Sequence, residues 1–155
     1  MIAILVDGDA CPVKDEVYVV ATRYGVPCAL VANSRIYVPP GFGVEMVVVE
    51  EGPDAADDWI AAEAQPGDVV VTGDIPLASR CLEAGARVLG HDGRPFTEDM
   101  IGGALATREL KSQLREAGVV SGGPAGISSR DRSRFASKLD ELVARSVREA
   151  GPTAG

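Results

Sequence analysis

Aspartates follow two of the apolar runs in this sequence, at positions where their carboxylates can bind a cation. Asp7 and Asp9 come after the run 2–6, and Asp74 comes after the run 69–71. Carboxylates that converge without lysine partners repel one another, so a divalent cation is the simplest means of keeping them together. No histidine belongs to the pattern, which favours Mg²⁺ or Mn²⁺ over zinc.

A third acidic cluster, Asp54, Asp57 and Asp58, lies between these two. Its spacing places the three side chains on one face of a helix that begins near Asp54. We expect Asp54 to cap that helix, which stabilises a helix by about 1 kcal/mol. Acidic residues in a first helical turn are also favoured by the helix dipole, so a purely structural role stays open for the cluster.

The apolar runs alternate with helical patterns, which is typical of βαβ units and a mostly parallel sheet. Ligands bind outside the carboxyl ends of the strands in such sheets, so the three acidic groups are expected at one edge. Residues 34–43 are predicted to form an exposed loop and 118–129 a flexible linker. The patterns predict strands over 2–7, 28–33, 44–50, 68–73 and 86–90, and helices over 13–24, 54–64, 76–84, 100–116 and 130–149.

Length and composition predict one globular domain. The chain has 155 residues, of which 46% are hydrophobic and 25% charged, and we expect a domain over 1–150 with a disordered tail over 151–155. Its three cysteines form no Cys-x-x-Cys pair, so we expect reduced thiols. No apolar stretch approaches the ~20 residues of a membrane span and no leader is evident, which predicts a cytoplasmic protein without a membrane partner.

Charge is distributed unevenly along the chain. The net charge is −8, with −11 in residues 1–106 and +3 in residues 107–155. An acidic half that binds metal and a basic half that holds neighbouring phosphates would suit a nuclease. Ordinary solvated charges on an exposed C-terminal helix are the alternative.

The chemistry that these residues predict is metal-dependent phosphodiester hydrolysis. One or two Mg²⁺ or Mn²⁺ ions would activate water for in-line attack and stabilise the leaving oxygen, so no side chain need act as a nucleophile. The candidate catalytic residues are Asp7, Asp9, Asp57 and Asp74, and the candidate metal ligands are these four together with Asp54.

Six motifs, in order and spacing over residues 1 to about 145, resemble the bacterial YaiI/YqxD family. The resemblance implies a PIN-like fold, three αβα layers with a mostly parallel central sheet, and a ribonuclease activity with RNA as the partner. The motifs are Asp7-Gly8-Asp9-Ala10-Cys11-Pro12, Val31-Ala32-Asn33, Asp54-Ala55-Ala56-Asp57, Thr72-Gly73-Asp74-Ile75-Pro76-Leu77-Ala78, Gly122-Gly123-Pro124 and Arg130-Asp131-Arg132.

The resemblance also bears on single residues. The five candidate metal ligands occupy motif positions, whereas Asp58 lies outside them. Asn33 becomes a candidate ligand for phosphate or water, and Arg130 and Arg132 become candidates for holding a nucleic-acid backbone. Salt bridges to Asp131 or Asp140 are the alternative role of the two arginines. Thr72 shares a strand side with Asp74, which suits a hydroxyl contact to phosphate or metal-bound water.

Two other functions stay open. The fold can bind RNA or a nucleotide without cleaving it. Aromatic residues on which bases could stack would favour a single-strand binder, but they are 5% of the chain and no run interleaves them with basic residues. An Asp-x-Asp motif followed by a threonine also resembles haloacid-dehalogenase-like phosphatases, but the later lysine and paired aspartates are out of order here. His91 is expected in a structural turn, and Cys11 in the core.

Overall fold

The structure, a computed structural model, describes residues 2–9, 11–50, 52, 54–102 and 127–150. Residues 98–102 are helical and end one described range. The remaining strands and helices, in chain order, are β1 (Ile4–Asp7), α1 (Lys14–Tyr24), β2 (Cys28–Ala32), β3 (Val44–Val48), α2 (Ala55–Glu63), β4 (Val69–Val71), α3 (Ile75–Glu83), β5 (Arg87–Leu89) and α4 (Ser129–Ala150).

The strands form one five-stranded sheet in the order β3-β2-β1-β4-β5. Every neighbouring pair is parallel, with Ile4 of β1 opposite Cys28 on one side and Val69 on the other. The chain moves outward from β1 to β3 and then returns to the other side of β1. Such a reversal opens a crevice at the carboxyl ends of β1 and β4. The predicted parallel α/β sheet is confirmed.

Helices cover both faces of the sheet. On one face α1 and α4 pack over Val6 and Leu30, with Phe135 and Leu139 of α4 fully buried. On the other face α2 and α3 pack over Val31 and Val70 through residues such as Ile60. The three-layer αβα arrangement is therefore confirmed. No helix within the described ranges combines the length and the hydrophobicity of a membrane span.

The connection between β2 and β3 has no helix. Residues 33–43 run down the α1 face of the sheet instead, and Ile36, Val38 and Phe42 pack against the core there. The Phe42 ring lies 5.6 Å from the Tyr18 ring, measured between centroids. The predicted loop is thus present, and these three side chains anchor it to the domain.

Element ends differ from the predicted ones by one or two residues, and a side chain explains the start of β4. Asp68 is buried, and its carboxylate accepts hydrogen bonds from the backbone of Ala3 at 2.9 Å and of Gln65 at 3.0 Å. The strand consequently begins after Asp68, at Val69. Most of the predicted helix 100–116, most of the predicted linker 118–129 and all of the tail 151–155 lie outside the described residues.

Candidate functional site

The carboxyl ends of β1 and β4 are joined by a hydrogen-bonded chain through Thr72. Its hydroxyl donates to an oxygen of Asp7 at 3.0 Å and accepts from the backbone N–H of Asp74 at 3.0 Å. Asp74 in turn caps α3, because its Oδ1 accepts from the Leu77 N–H at 3.0 Å. Thr72 is completely buried, so its hydroxyl positions the two aspartates and is closed to a substrate.

Asp9 contacts the residue that follows β2. The strand stops at Asp7, so the alternation of side chains along a strand does not extend to Asp9. The exposed Asp9 carboxylate accepts from the Asn33 backbone N–H at 3.2 Å. The side chain of Asn33 donates to the carbonyl oxygens of Glu50 at 3.0 Å and of Gly52 at 3.4 Å, which ties β2 to the connection before α2.

Gly8 makes this turn possible. Its N–H donates to the Val31 carbonyl at 2.7 Å. A Cβ at position 8 would lie 2.8 Å from Leu30 Cδ1 and 3.0 Å from the Val31 oxygen. A residue without a side chain is therefore required between the two aspartates, as close backbone approach predicts.

The start of α2 brings the third acidic group to the same edge, although not as the spacing alone predicted. Asp54 is the N-cap residue, but its side chain makes no capping hydrogen bond, so the predicted cap is wrong. Its backbone lies in the helical region, which does not direct the carboxylate toward the first-turn amides. Asp58 is exposed and pairs with Arg80 of α3 at 2.8 Å. Asp57 points toward the crevice instead.

Electrostatics shows that Asp7 and Asp57 belong to one cluster. Burial, and after it the charges of Asp74, Asp7 and Asp54, together raise the pKa of Asp57 to about 6 against the opposing effect of Arg80. Burial also raises the pKa of Asp7, the Thr72 hydrogen bond opposes this, and Asp9 and Asp74 add repulsion. Carboxylates at the ends of β1 and β4 and at the start of α2 therefore interact electrostatically at the switch point of the sheet, where the strand order reverses.

The donor set at this edge suits a hard cation. Among the described residues, no three carboxylate, imidazole or thiolate side chains stand close enough together to ligate one ion as arranged. Mg²⁺ keeps several waters and is commonly held through only one or two carboxylates. Asp7 and Asp74 each commit one oxygen to a protein donor, and the second oxygen of each accepts no hydrogen bond from a described residue. The chemistry of the carboxylates fits Mg²⁺ or Mn²⁺.

The two candidate arginines have different surroundings. Arg132 donates to the Pro12 carbonyl at 2.7 Å and pairs with Glu16 of α1 at 3.3 Å. The predicted alternative partners, Asp131 and Asp140, are therefore wrong for Arg132. Arg130 is exposed in the first turn of α4 and makes no ion pair with a described residue. The Pro12 contact places this helix start close to the Asp7-Gly8-Asp9 turn.

His91 lies nearer to the cluster than its sequence context indicated. A Cβ on Gly73 would be 3.4 Å from two atoms of the His91 ring, which places the imidazole beside the backbone between Thr72 and Asp74. The Nε2 atom is buried, and no described residue forms a hydrogen bond with it. Burial lowers the pKa of His91, so the neutral imidazole is favoured. A single histidine after a strand does not indicate, from sequence alone, that its ring lies beside the carboxylates.

Cys11 lies in the core beside the site, as predicted. Its side chain is buried, and burial is the main cause that raises the pKa of its thiol, with the charges of Asp7 and Glu16 adding to the shift. A raised pKa disfavours the thiolate, which is the reactive form of cysteine. Cys11 is thus a packing residue.

Fold and site together define a class of protein, namely a three-layer parallel α/β domain with a carboxylate cluster at the switch point of its sheet. Within that class, the chain belongs to the YaiI/YqxD family: the model of this family, described as uncharacterised, matches residues 5–145. The match includes every candidate site residue named above.

Close relatives carry the family name UPF0178 protein. One from Rhodopseudomonas palustris strain HaA2 is 54% identical over 145 residues, covering 94% of this chain and 88% of the relative. Another, from Caulobacter vibrioides strain NA1000, is 53% identical over 151 residues, covering 97% and 99%. No solved structure matches the chain significantly.

Proposed function

We propose that this protein is a Mg²⁺- or Mn²⁺-dependent phosphodiesterase, specifically a ribonuclease, whose site is the carboxylate cluster at the ends of β1 and β4 and the start of α2. The observation that carries this proposal is geometric: the buried Thr72 hydroxyl donates to Asp7 and accepts from the Asp74 backbone N–H, which holds these two aspartates at one edge of the sheet. The charges of Asp74, Asp7 and Asp54 also contribute to the raised pKa of Asp57. Such a cluster costs free energy in the folded protein unless a cation neutralises it. The proposed ligands are Asp7, Asp9, Asp54, Asp57 and Asp74.

A bound divalent ion would supply a nucleophilic water and would neutralise charge on the phosphate and on the leaving oxygen. The protein side chains have separate roles. Thr72 fixes Asp7 relative to Asp74, and the capping bond to Leu77 fixes Asp74 on rigid structure. The Asn33 N–H fixes Asp9. A metal site needs ligands that packing and hydrogen bonds hold in place, and these contacts hold the three carboxylates.

Cations for the neighbouring phosphates would come from the start of α4. Arg130 is exposed there, and backbone N–H groups at a helix N-terminus also favour anions. Arg132 is tied to α1, so its proposed role is to position the helix start and not to contact RNA. The proposal includes the cytoplasm as the compartment, which agrees with three buried cysteines that form no disulfide.

Calorimetric titration of Mn²⁺ into the protein tests the metal site. We expect the wild type to bind the ion and to cleave labelled single-stranded RNA, and an Asp7→Asn/Asp74→Asn variant to lose both properties while remaining folded. Asp58→Asn is the matched control, because Asp58 lies beside the cluster but pairs with Arg80. Wild-type protein that binds no Mn²⁺ would refute the proposed site.

One observation favours a second candidate, RNA or nucleotide binding without cleavage. No three potential ligands among the described residues are arranged to share one ion. RNA binding that survives chelation, without any cleavage when Mn²⁺ is added, would support this alternative. The phosphatase alternative gains no such support, since Lys138 pairs with Glu141 on α4 and Lys111 lies outside the described residues.

A further inference from the structure

A groove of about 670 Å³ opens between β3 and the loop 33–43. It lies at the edge of the sheet, because β3 is the outermost strand. None of the residues that line it belongs to the carboxylate cluster. The lining residues are Arg35, Ile36, Tyr37, Val38, Val44 and Met46.

The loop presents an aromatic ring and a cation at this groove. Ile36 and Val38 pack inward against the core, so the residues that alternate with them, Arg35 and Tyr37, project outward. Tyr37 is 77% exposed, which is the highest value among the exposed large hydrophobic residues described. Because Ile36 and Val38 hold the loop in place on both sides of Tyr37, binding a ligand to the ring would cost little conformational entropy of the loop.

Arg35 provides positive charge in an otherwise acidic region. It is the only lysine or arginine between Arg23 and Arg80 in the sequence, and it makes no ion pair with a described residue. The loop begins at Asn33, whose N–H binds Asp9 of the cluster. Four extended residues span at most about 14 Å, so Tyr37 lies within that distance of Asn33, the residue that contacts Asp9.

We propose that this groove binds single-stranded RNA, with one base stacked on Tyr37 and an adjacent phosphate on Arg35, so that the strand leads toward the carboxylate cluster. The inference rests on the proposed function for its substrate class. Aromatic stacking combined with a nearby cation is how proteins hold single strands with little dependence on sequence.

Pairing of β3 with a second copy of the chain is a weaker explanation of this edge. Glu45, the second residue of the strand, is exposed. Charged side chains on an edge strand oppose addition of another strand. Neither the cation nor the aromatic ring at the groove is explained by strand pairing.

Fluorescence anisotropy of a labelled oligouridylate of roughly twelve nucleotides, measured in chelator, tests the groove without involving the metal. We expect Tyr37→Ala to weaken binding by about 5- to 150-fold, the effect of losing one stacked base. Tyr37→Trp should retain affinity. Arg35→Gln should reduce the slope of log affinity against log salt by about 0.7. Val19→Ala, which removes a hydrophobic side chain that is 47% exposed on α1, is the control and should change nothing.

The outcomes separate this inference from the proposed function. Tight RNA binding that is unchanged in Tyr37→Ala overturns the groove and leaves the nuclease proposal intact. Tyr37-dependent binding without Mn²⁺-dependent cleavage supports the groove and overturns the nuclease. Equal affinity for duplex RNA overturns the single-strand preference. A Tyr37→Ala variant that changes oligomeric state in sedimentation but keeps its RNA affinity assigns the groove to a second copy.

Discussion

Substitution of Asp57 by Asn should stabilise the metal-free protein at neutral pH. Asp57 lies in the first turn of α2, and burial with the charges of Asp74, Asp7 and Asp54 raises its pKa from 3.8 to about 6. A pKa that is higher in the folded state means that the ionised carboxylate destabilises the fold. The stabilising contribution of the protonated form is complete below pH ~4, the unfolded pKa, and is lost as the pH rises through about 6.

The expected size follows from the shift. About two pKa units correspond to roughly 3 kcal/mol, and partial exposure of Asp57 reduces this to about 1.5 kcal/mol. Loss of a favourable charge near the helix N-terminus subtracts about 0.5 kcal/mol. Asp57→Asn should therefore raise the free energy of unfolding by about 1 kcal/mol near pH 7.5, or the melting temperature by roughly 2–4 °C.

Thermal unfolding followed by circular dichroism in chelator, at several pH values from about 5 to 7.5, measures this effect. The gain from Asp57→Asn should grow with pH, and saturating Mn²⁺ should reverse the order because only the wild type keeps every ligand. Asp58→Asn is the matched control: Asp58 pairs with Arg80 on the surface, so its loss should cost a few tenths of a kcal/mol at most. A variant at position 57 that is destabilised at every pH would refute the repulsion argument.

Three further predictions concern the support of the site. Thr72→Val should destabilise the protein by about 1–3 kcal/mol in urea unfolding, since the Asp74 N–H loses its acceptor, whereas Thr72→Ser should retain most of the stability. Gly8→Ala should cost about 1–3 kcal/mol, because its Cβ would lie 2.8 Å from Leu30, and Gly43→Ala, with open space around it, should be nearly neutral. Thiol titration should show no fast-reacting cysteine until denaturant is added, since burial raises the pKa of all three, Cys11, Cys28 and Cys81.

The three-layer architecture could be predicted from the sequence because the strand pattern and the helix pattern agreed. Runs such as 69–71 are apolar at every position, which is what a strand covered on both faces requires, and helical patterns separate most of them. Element ends were less predictable. The start of β4, for example, depends on the hydrogen bonds that the Asp68 carboxylate accepts from the backbone N–H groups of Ala3 and Gln65, which lie outside the strand.

The candidate site was predictable only in outline. The convergence of Asp7 and Asp74 follows from parallel strands, whose carboxyl ends share an edge. The hydrogen-bond partner of each side chain does not follow from the sequence. The buried Thr72 hydroxyl bonds to the Asp7 carboxylate and to the Asp74 backbone, and Arg132 pairs with Glu16 of α1, more than one hundred residues away in the chain. The exposure of the Tyr37 ring at the groove depends on which loop residues pack inward, and that is a property of the tertiary structure.

The position of α4 has a consequence for how the protein is made. This helix closes the α1 face of the sheet through Phe135 and Leu139, yet it is synthesised after all five strands. A nascent chain that has completed β5 already carries the acidic edge, but the apolar part of this face that α4 covers is still exposed. Such exposed surface is prone to aggregation and to capture by chaperones. Completion of this hydrophobic core therefore requires the final helix, and a ribosome-stalled chain lacking it should be a chaperone client.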